Sequence, residues 1–401
     1  MTRRHAVRNF LMWAAASPLA RPQQPPTVMA DRLPALEDML NVFDFEAVAR
    51  TKVPKSTFDY ITPGADNEWT LRRNREMFEK ILLRPRVLTD VSKLDVSCEL
   101  FVIKVEMPIL LSPTGTLGQA HPDGELATAR AAGAAKTIMC VSSNSSFPID
   151  KIGAAATGPL WFQLYAVEDL DLTRERVERA VAAGCKVIAF TVDSQFPPQR
   201  ERMLRNRTET ASTLLPAAPG VTVPGRPPAA PARRSSAPER PLQYRMRPAL
   251  TAQLTWSFLG TLKGWAKTPV LVKGILTPED ARLCVERGAD GLIVSNHGAR
   301  RLDTVPSTIE VLPDIVDAVG GKIPVLIDGG FRRGTDVLKA LAIGAKAVMV
   351  GRPHFWGLGA FGQVGVQRVL ELLQTELARA MGFAGRPNLA SLDRNLVKIE
   401  R

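Results

Sequence analysis

Cysteine is scarce in this chain of 401 residues: there are four, Cys98, Cys140, Cys185 and Cys284, and no two form a C-x-x-C pair. Histidine is equally scarce, at positions 5, 121, 297 and 354, scattered along the sequence. No metal site is expected from so dispersed a set, and the thiols read as buried and free, Cys140 and Cys284 lying in apolar-periodic runs. No apolar run reaches the roughly 18 residues of a membrane span, although 45% of the residues are hydrophobic. A G-x-G-x-x-G turn after the first strand-like run is missing too, which argues against an open dinucleotide-binding sheet. The length suits one barrel of about 250 residues with extensions, or two smaller domains.

Acidic residues are short by twelve, and a net charge of +12 would ordinarily raise nucleic acid as a partner. The excess is local. Residues 1–35 hold five Arg against one Asp, and residues 200–247 hold ten Arg against three Glu, leaving about one net charge on the rest. A basic leader and a basic loop do not make a nucleic-acid groove, so no nucleic-acid partner is expected. Residues 1–34 read as leader and linker. The pair Arg3-Arg4, the apolar stretch 10–16 and small residues near Ala20 resemble a twin-arginine export signal, which would place the protein in a periplasm. The other reading is a disordered basic tail on a cytoplasmic protein.

What is present is a repeat. Eight short apolar runs cover residues 108–112, 137–142, 161–165, 187–193, 270–273, 291–296, 325–328 and 347–351. Helical segments lie between most of them, at 124–132, 174–183, 278–286, 309–318 and 334–342, and two more precede them, at 41–50 and from Pro54 to Pro63-Gly64. Eight strands alternating with helices predict a parallel sheet closed into a (β/α)8 TIM barrel over residues 35–401, with an N-terminal helical extension. Gly133, Gly184, Gly288 and Gly344 each stand shortly before a strand and read as helix C-caps recurring in phase with the repeat. The repeat breaks once after strand four, where residues 211–248 carry nine prolines and almost no large apolar residue. That composition cannot bury enough surface to order itself. It reads as a disordered insertion, either a mobile lid over the barrel or a solvated loop with no role.

In such barrels, chemistry sits where strands end. The run GLIVSNHGARRLD (291–303) is apolar until it breaks into Ser295, Asn296 and His297, followed by Arg300, Arg301 and Asp303. Other strands end in Ser112-Pro113-Thr114-Gly115, Ser142, Gln163 and Tyr165, Thr191 and Asp193, Lys273, Asp328-Gly329-Gly330 with Arg332, and Gly351-Arg352. Any one of these is ordinary, since a lone strand-end hydroxyl is usually a helix cap. Their convergence on one rim is what matters. The glycine-rich turns with Arg332 and Arg352 suit a phosphate after strands seven and eight. His297 suits proton abstraction, with Asp193 to orient it; a lone histidine would otherwise read as a core residue bonded to a carbonyl. Arg200 and Arg300 could clamp a carboxylate. Lys273, in an apolar strand, needs an anionic partner, whether a reduced flavin, a phosphate or a structural salt bridge.

The segments FDYITPGADNEWTL, AHPDGELATARAA, FQLY, TVD, LVKGI, SNHGARRLD and DGGFRRGTDVLKALAIGAKAVMVGRP resemble those of the FMN-dependent α-hydroxy-acid oxidases and dehydrogenases (glycolate oxidase, L-lactate dehydrogenase and monooxygenase, mandelate dehydrogenase). The resemblance runs over residues 43–395 outside the insertion. It implies FMN contacts at Pro113, Thr114, Gly115, Ser142, Gln163, Thr191, Lys273 and Ser295. It puts the phosphate on Asp328, Gly329, Gly330, Arg332, Gly351 and Arg352. It assigns the substrate carboxylate to Tyr60, Arg200 and Arg300, the hydroxyl to Tyr165, the role of base to His297 and that of its partner to Asp193. The implied activity is oxidation of a small 2-hydroxy acid to the 2-keto acid, with oxygen, a quinone or a cytochrome as final acceptor, in a homotetramer. An isomerase-type FMN barrel and a relative that binds without turning over are the alternatives. Three departures stand out. Asn144 replaces an aromatic residue common in the oxidases. Gly115 stands where they often carry Ala, which leans away from oxygen as acceptor. Pro197-Pro198-Gln199 replaces a glycine-rich approach to Arg200.

Overall fold

The computed structural model describes residues 34–205 and 253–400, so the leader and the 211–248 insertion lie outside the described residues. The chain divides into residues 1–39 and 40–401. Of the first unit, only residues 34–39 are described; they hold one 3-10 turn, Leu36–Asp38, with the Ala35 amide donating to Asp38 Oδ2 at 2.7 Å. The second unit is the barrel and its extensions.

Its eight strands are β1 (Ile109–Leu111), β2 (Met139–Ser142), β3 (Leu160–Leu164), β4 (Ile188–Thr191), β5 (Val270–Ile275), β6 (Gly291–Val294), β7 (Val325–Asp328) and β8 (Ala347–Val350). Each pairs in parallel with the next, and β8 pairs with β1, so the sheet closes in sequence order. All eight predicted strands are present. Helices α1 (Val42–Lys52), α2 (Lys55–Ile61) and α3 (Trp69–Glu79) precede the barrel. Around and after it follow α4 (Gly124–Ala134), α5 (Ile149–Ala155), α6 (Leu170–Ala182), α7 (Glu201–Arg205), α8 (Phe258–Ala266), α9 (Pro278–Glu286), α10 (Thr308–Val319), α11 (Gly334–Ile343) and α12 (Arg352–Phe383). No helix among the described residues is long and apolar enough to cross a membrane.

Local chemistry accounts for many of the boundaries. α9 starts where Thr277 Oγ1 accepts from the Asp280 amide and Pro278 occupies the first turn. α10 starts at a Ser307–Glu310 capping box and stops at Gly320, whose φ of 58° an L side chain seldom adopts. Of the four glycines expected at C-caps, Gly184, Gly288 and Gly344 have positive φ, but Gly133 does not. Gly133 lies inside α4, and Lys136 takes the left-handed position at φ 50°. A Cβ on Gly133 would stand 2.1 Å from Thr157 Oγ1 and 2.7 Å from the Gly158 nitrogen, so close helix-to-loop packing explains this glycine.

The interior is layered. Alternate residues of a strand face one side, so each strand sends one residue into an apolar layer and, two positions on, another into the rim. Leu110, Cys140, Trp161, Ala189, Leu271, Ile293, Leu326 and Met349 belong to one buried cluster. The residues two further along are Ser112, Ser142, Gln163, Thr191, Lys273, Ser295, Asp328 and Gly351. A hairpin of strands 98–100 and 103–105 contributes Leu100 and Val105 to the same cluster, and the Phe101 ring meets Trp161 edge-on at 5.7 Å. Apolar packing thus fills the N-terminal end of the barrel, and polar side chains collect at the C-terminal end. Cys140, Cys185 and Cys284 are buried, Cys98 is half-buried, and all four are free, as expected.

Candidate active site

The polar layer is wired from strand to strand. Ser142 Oγ lies 3.3 Å from Gln163 Oε1, and Gln163 Nε2 donates to Thr191 Oγ1 at 3.0 Å. Across the barrel, Lys273 Nζ donates to Ser295 Oγ at 2.6 Å and pairs with Asp328 Oδ2 at 2.9 Å. Burial works to lower the Lys273 pKa, but Asp328 and then Asp193 raise it above its ordinary value, so the ammonium persists in a site 3% exposed. The anion demanded by Lys273 is therefore supplied first by the protein. Asp328, which the resemblance grouped with the phosphate, turns Oδ2 to Lys273, while its Oδ1 is buried with no partner among the described residues.

His297 sits at the rim after β6 with φ 57°, in a left-handed run that continues through Gly298 and Ala299. This conformation is strained for a side chain larger than glycine, and such strain persists only where surroundings impose it. Here the His297 amide donates to Ser295 Oγ at 3.1 Å, and the ring is held at both nitrogens. Nδ1 is 2.9 Å from Asp193 Oδ1, and Nε2 is 3.1 Å from Tyr165 Oη. Burial would raise the Asp193 carboxyl, but His297 and Lys273 bring it down to about 2. Burial lowers the imidazole to about 4 against the opposing pull of Asp193. At neutral pH the pair is therefore a carboxylate beside a neutral imidazole, with Nδ1–H donated to Asp193 and unprotonated Nε2 facing the Tyr165 hydroxyl as an acceptor.

Tyr60, from α2, lies between two guanidiniums. Arg200 stands 4.8 Å and Arg300 5.2 Å from its ring centre. Arg200 donates to the Tyr60 carbonyl at 3.2 Å, and Arg300 donates to the Tyr60 and Ile61 carbonyls at 2.7 Å each. Burial would raise the phenol, but Arg300 and Arg200 pull its pKa below the ordinary value. Arg200 reaches this position although its approach is Pro197-Pro198-Gln199, because the Asp66 amide donates to the Gln199 carbonyl at 2.8 Å. Among the described residues, no carboxylate forms an ion pair with Arg200 or Arg300. Two desolvated cations side by side call for an external anion.

A second such place lies beside β7 and β8. Gly329 and Gly330 have φ of 102° and 84°, and a Cβ on Gly330 would stand 2.0 Å from the Asn74 carbonyl oxygen. Only glycine allows that turn. Arg332, 8% exposed, lies 4.6 Å from the Trp356 ring centre and forms no ion pair among the described residues; burial and then Arg352 lower its pKa. Arg352 itself is engaged. Its Nε, Nη1 and Nη2 donate to the carbonyls of Thr62, Gly298 and Pro63 at 3.0, 2.9 and 3.1 Å, so it pins the loop after α2 to the turn after His297.

One cavity joins these parts. Tyr60, Ser112, Pro113, Thr114, Gly115, Ser142, Gln163, Tyr165, Thr191, Arg200, Lys273, His297, Arg300, Asp328, Gly329, Gly330, Arg332, Gly351 and Arg352 all line it. Asp193 and Ser295 stand just behind the lining, bonded to His297 and Lys273. Every residue that the resemblance assigned to the site is therefore brought together. The residues fit FMN. Arg332 is a buried cation awaiting an anion beside a turn that only glycine can make, and Ser112 Oγ is a buried hydroxyl without a partner in the same wall. The layer of Ser142, Gln163, Thr191 and Lys273 offers donors and acceptors to a heterocycle.

Three residues of the rim motif stood in the sequence without an assigned role. Arg301 points away from Arg300: its Nη2 donates to Tyr165 Oη at 3.3 Å and its guanidinium lies 5.8 Å from that ring's centre. Asn296 and Asn74 exchange amide hydrogen bonds at 3.0 and 2.8 Å, which ties α3 to the rim of β6. Asp303 accepts from the amides of Trp69 and Thr70 at 3.2 and 2.8 Å and so caps α3. All three lie in the same rim motif as His297, but nothing local in the sequence marked the partners they meet.

A closed β/α barrel with an imidazole–carboxylate pair, two guanidiniums that no described carboxylate pairs and an anion cradle on one rim defines a class: barrel enzymes that oxidise an anionic substrate with a bound flavin nucleotide. The chain belongs to the FMN-dependent dehydrogenase family, which matches residues 49–399. It is 43% identical over 357 residues to glycolate oxidase 1 of Oryza sativa subsp. indica, covering 89% of this chain and 95% of that one. It is 41% identical over 358 residues to glycolate oxidase of Spinacia oleracea, covering 89% and 95%. Among solved structures, a soluble mutant of the membrane-associated (S)-mandelate dehydrogenase from Pseudomonas putida matches with a TM-score of 0.80 and 36% identity, covering 90% of this chain and all of that one. Mandelate oxidase matches with a TM-score of 0.79 and 36% identity, covering 90% and 99%. The protein is an FMN-dependent enzyme that oxidises 2-hydroxy acids.

Proposed function

We propose that His297 is the base of this reaction and that Arg200 and Arg300, with the Tyr60 hydroxyl between them, bind the substrate carboxylate. The observation that carries the reading is the imidazole held at both nitrogens, by Asp193 at 2.9 Å and by Tyr165 at 3.1 Å, in the cavity lined by both arginines. The carboxylate fixes one end of the acid. Tyr165 meets the hydroxyl at C2. Nε2 takes a proton from the bound acid, and Asp193 stabilises the imidazolium that results. When bound, FMN supplies the acceptor for two electrons, and a 2-keto acid leaves. Arg332, the Gly329-Gly330 turn and Gly351 would hold its phosphate; Ser142, Gln163, Thr191 and Lys273 would face its rings.

The protein should purify yellow. Anaerobic addition of short, long and aromatic 2-hydroxy acids should bleach the flavin, and His297→Gln should keep the colour but lose the bleaching. Undiminished bleaching in that variant removes His297 as base. Reoxidation by air, quinone or cytochrome then identifies the final acceptor, and sedimentation tests the homotetramer.

A further inference from the structure

Three guanidiniums, not two, surround the reactive end of the cavity. Arg200 and Arg300 stand over Tyr60, and Arg301 stands over Tyr165, whose hydroxyl meets the imidazole. One carboxylate is matched by one or two of these forks. The third is left over. Among the described residues Arg301 makes no ion pair, its buried Nε has no partner, and its single hydrogen bond is the 3.3 Å contact to Tyr165 Oη. That bond is not needed to orient Tyr165, whose hydroxyl already meets His297. Arg301 helps to keep Asp193 ionised from a distance, but Oδ1 of that carboxylate is taken by His297 and the guanidinium forms no ion pair with it. The charge also works against its neighbours, since Arg301 opposes protonation of Arg200, Arg300 and His297. A half-buried cation with no acid in direct contact among the described residues marks a place for a negative group that arrives from outside.

The location narrows the group. Arg301 lines the active cavity, and Nη2 is two hydrogen bonds from His297 Nε2, through Tyr165 Oη. Asn144 lines the same cavity, with a side-chain amide that makes no hydrogen bond among the described residues. A substrate held by its first carboxylate on Arg200 and Arg300, with C2 against His297, would carry its far end toward Arg301 after only one or two further carbons. We infer that the preferred substrate is a short 2-hydroxydicarboxylic acid, of four or five carbons, whose second carboxylate is bound by Arg301. This rests on the reading of His297, Arg200 and Arg300 given above. The reaction is unchanged in balance: two electrons and two protons leave the C2 carbinol, the flavin is reduced, and the second carboxylate stays intact.

The test compares matched pairs that differ only in the far carboxylate: 2-hydroxybutanedioate against 2-hydroxybutanoate, and 2-hydroxypentanedioate against 2-hydroxypentanoate. Anaerobic flavin reduction is followed for the holoenzyme, for Arg301→Gln and for Arg301→Lys. A charge-assisted hydrogen bond corresponds to roughly tenfold or more in affinity. In the wild type the dicarboxylate of at least one pair should therefore exceed its partner at least tenfold in reduction rate over Kd. Arg301→Gln should bring that ratio to about one, and Arg301→Lys should restore part of it. The ratio is taken within one protein, so a general loss of activity in a variant cancels. Should Arg301→Gln fail to hold flavin, titration of wild-type flavin absorbance with butanedioate and butanoate decides, and equal binding of the two rejects the inference. Monocarboxylates that match or outpace the dicarboxylates overturn it, as does a ratio that survives Arg301→Gln. If no 2-hydroxy acid of either kind reduces the flavin, the failure lies instead in the underlying reading of the site, and this inference falls with it.

Discussion

Lys273 and Asp328 form an ion pair of 2.9 Å between β5 and β7, inside a rim where both residues are almost fully buried. Removing one partner of a buried pair leaves the other charged and unpaired, which costs about 3–5 kcal/mol, whereas removing both costs far less. Lys273→Met and Asp328→Asn should each lower unfolding free energy by an amount of that order, and the double variant should lie above both. Urea titrations of the three variants, all freed of flavin, check this. Additive losses would mean that the two side chains are stabilised independently.

The acid limb of the rate profile follows from His297. Its pKa is depressed to about 4, chiefly by burial, so the neutral base persists well below the ordinary histidine value. Protonation disables a base, so kcat/KM should be flat near neutrality and fall as pH drops through about 4, not through about 6.5. Asp193 opposes that depression. Asp193→Asn should shift the limb to lower pH and cut the flavin reduction rate by about 10²- to 10⁴-fold, because the imidazolium loses its counterion and its orienting acceptor. Stopped-flow reduction between pH 3.5 and 8 reads both effects. A limb that does not move in this variant would argue that another group sets it.

Arg200 and Arg300 differ in how much of the guanidinium is spent on the protein. Among the described residues, Arg300 holds two carbonyls at 2.7 Å, while Arg200 makes one bond at 3.2 Å. Arg300→Met therefore removes both a carboxylate contact and the brace on residues 60–61. It should raise KM and lower kcat. Arg200→Met should act mainly on KM, by roughly 10- to 100-fold for a lost charge-assisted bond. Steady-state kinetics with one 2-hydroxy acid separates them, and unchanged KM in either variant rejects the clamp.

How much of this was legible can be read from particular residues. The barrel was, because the β/α alternation repeats eight times and each strand is closed by polar rim groups. The site was as well, because a two-residue offset converts Leu271 into Lys273 and Ile293 into Ser295 along the same inward face. What failed to show depends on partners distant in sequence. α3 begins after Glu68, which caps nothing with its side chain; its first amides are held by Asp303 instead. A cap supplied from across the fold leaves no local pattern. Gly133 read as a helix stop, yet its reason is the proximity of residues 157–158. For Asp328 and Arg352 the motif reveals that they gather at the cavity but not which way their charged tips turn. One tip turned to Lys273, the other to three carbonyls.

His354 gives the last prediction, because it is a histidine that chemistry does not use. It is 1% exposed near the start of α12, and Nδ1 lies 2.8 Å from the Val350 carbonyl, where it donates as N–H. Burial depresses its pKa to about 4, only partly offset by that hydrogen bond. Between the unfolded value near 6.5 and about 4, the unfolded chain binds a proton that the folded chain refuses, so stability present above pH 6.5 is lost as pH falls through this window. His297 acts in the same direction over the same range. Unfolding free energy should therefore decline between pH 6.5 and 4. His354→Gln, which keeps a donor for Val350 but does not titrate, should flatten part of that decline, leaving the share due to His297. Urea midpoints measured across the window test the point, and a slope identical to wild type would show that His354 does not contribute to the acid sensitivity of the fold.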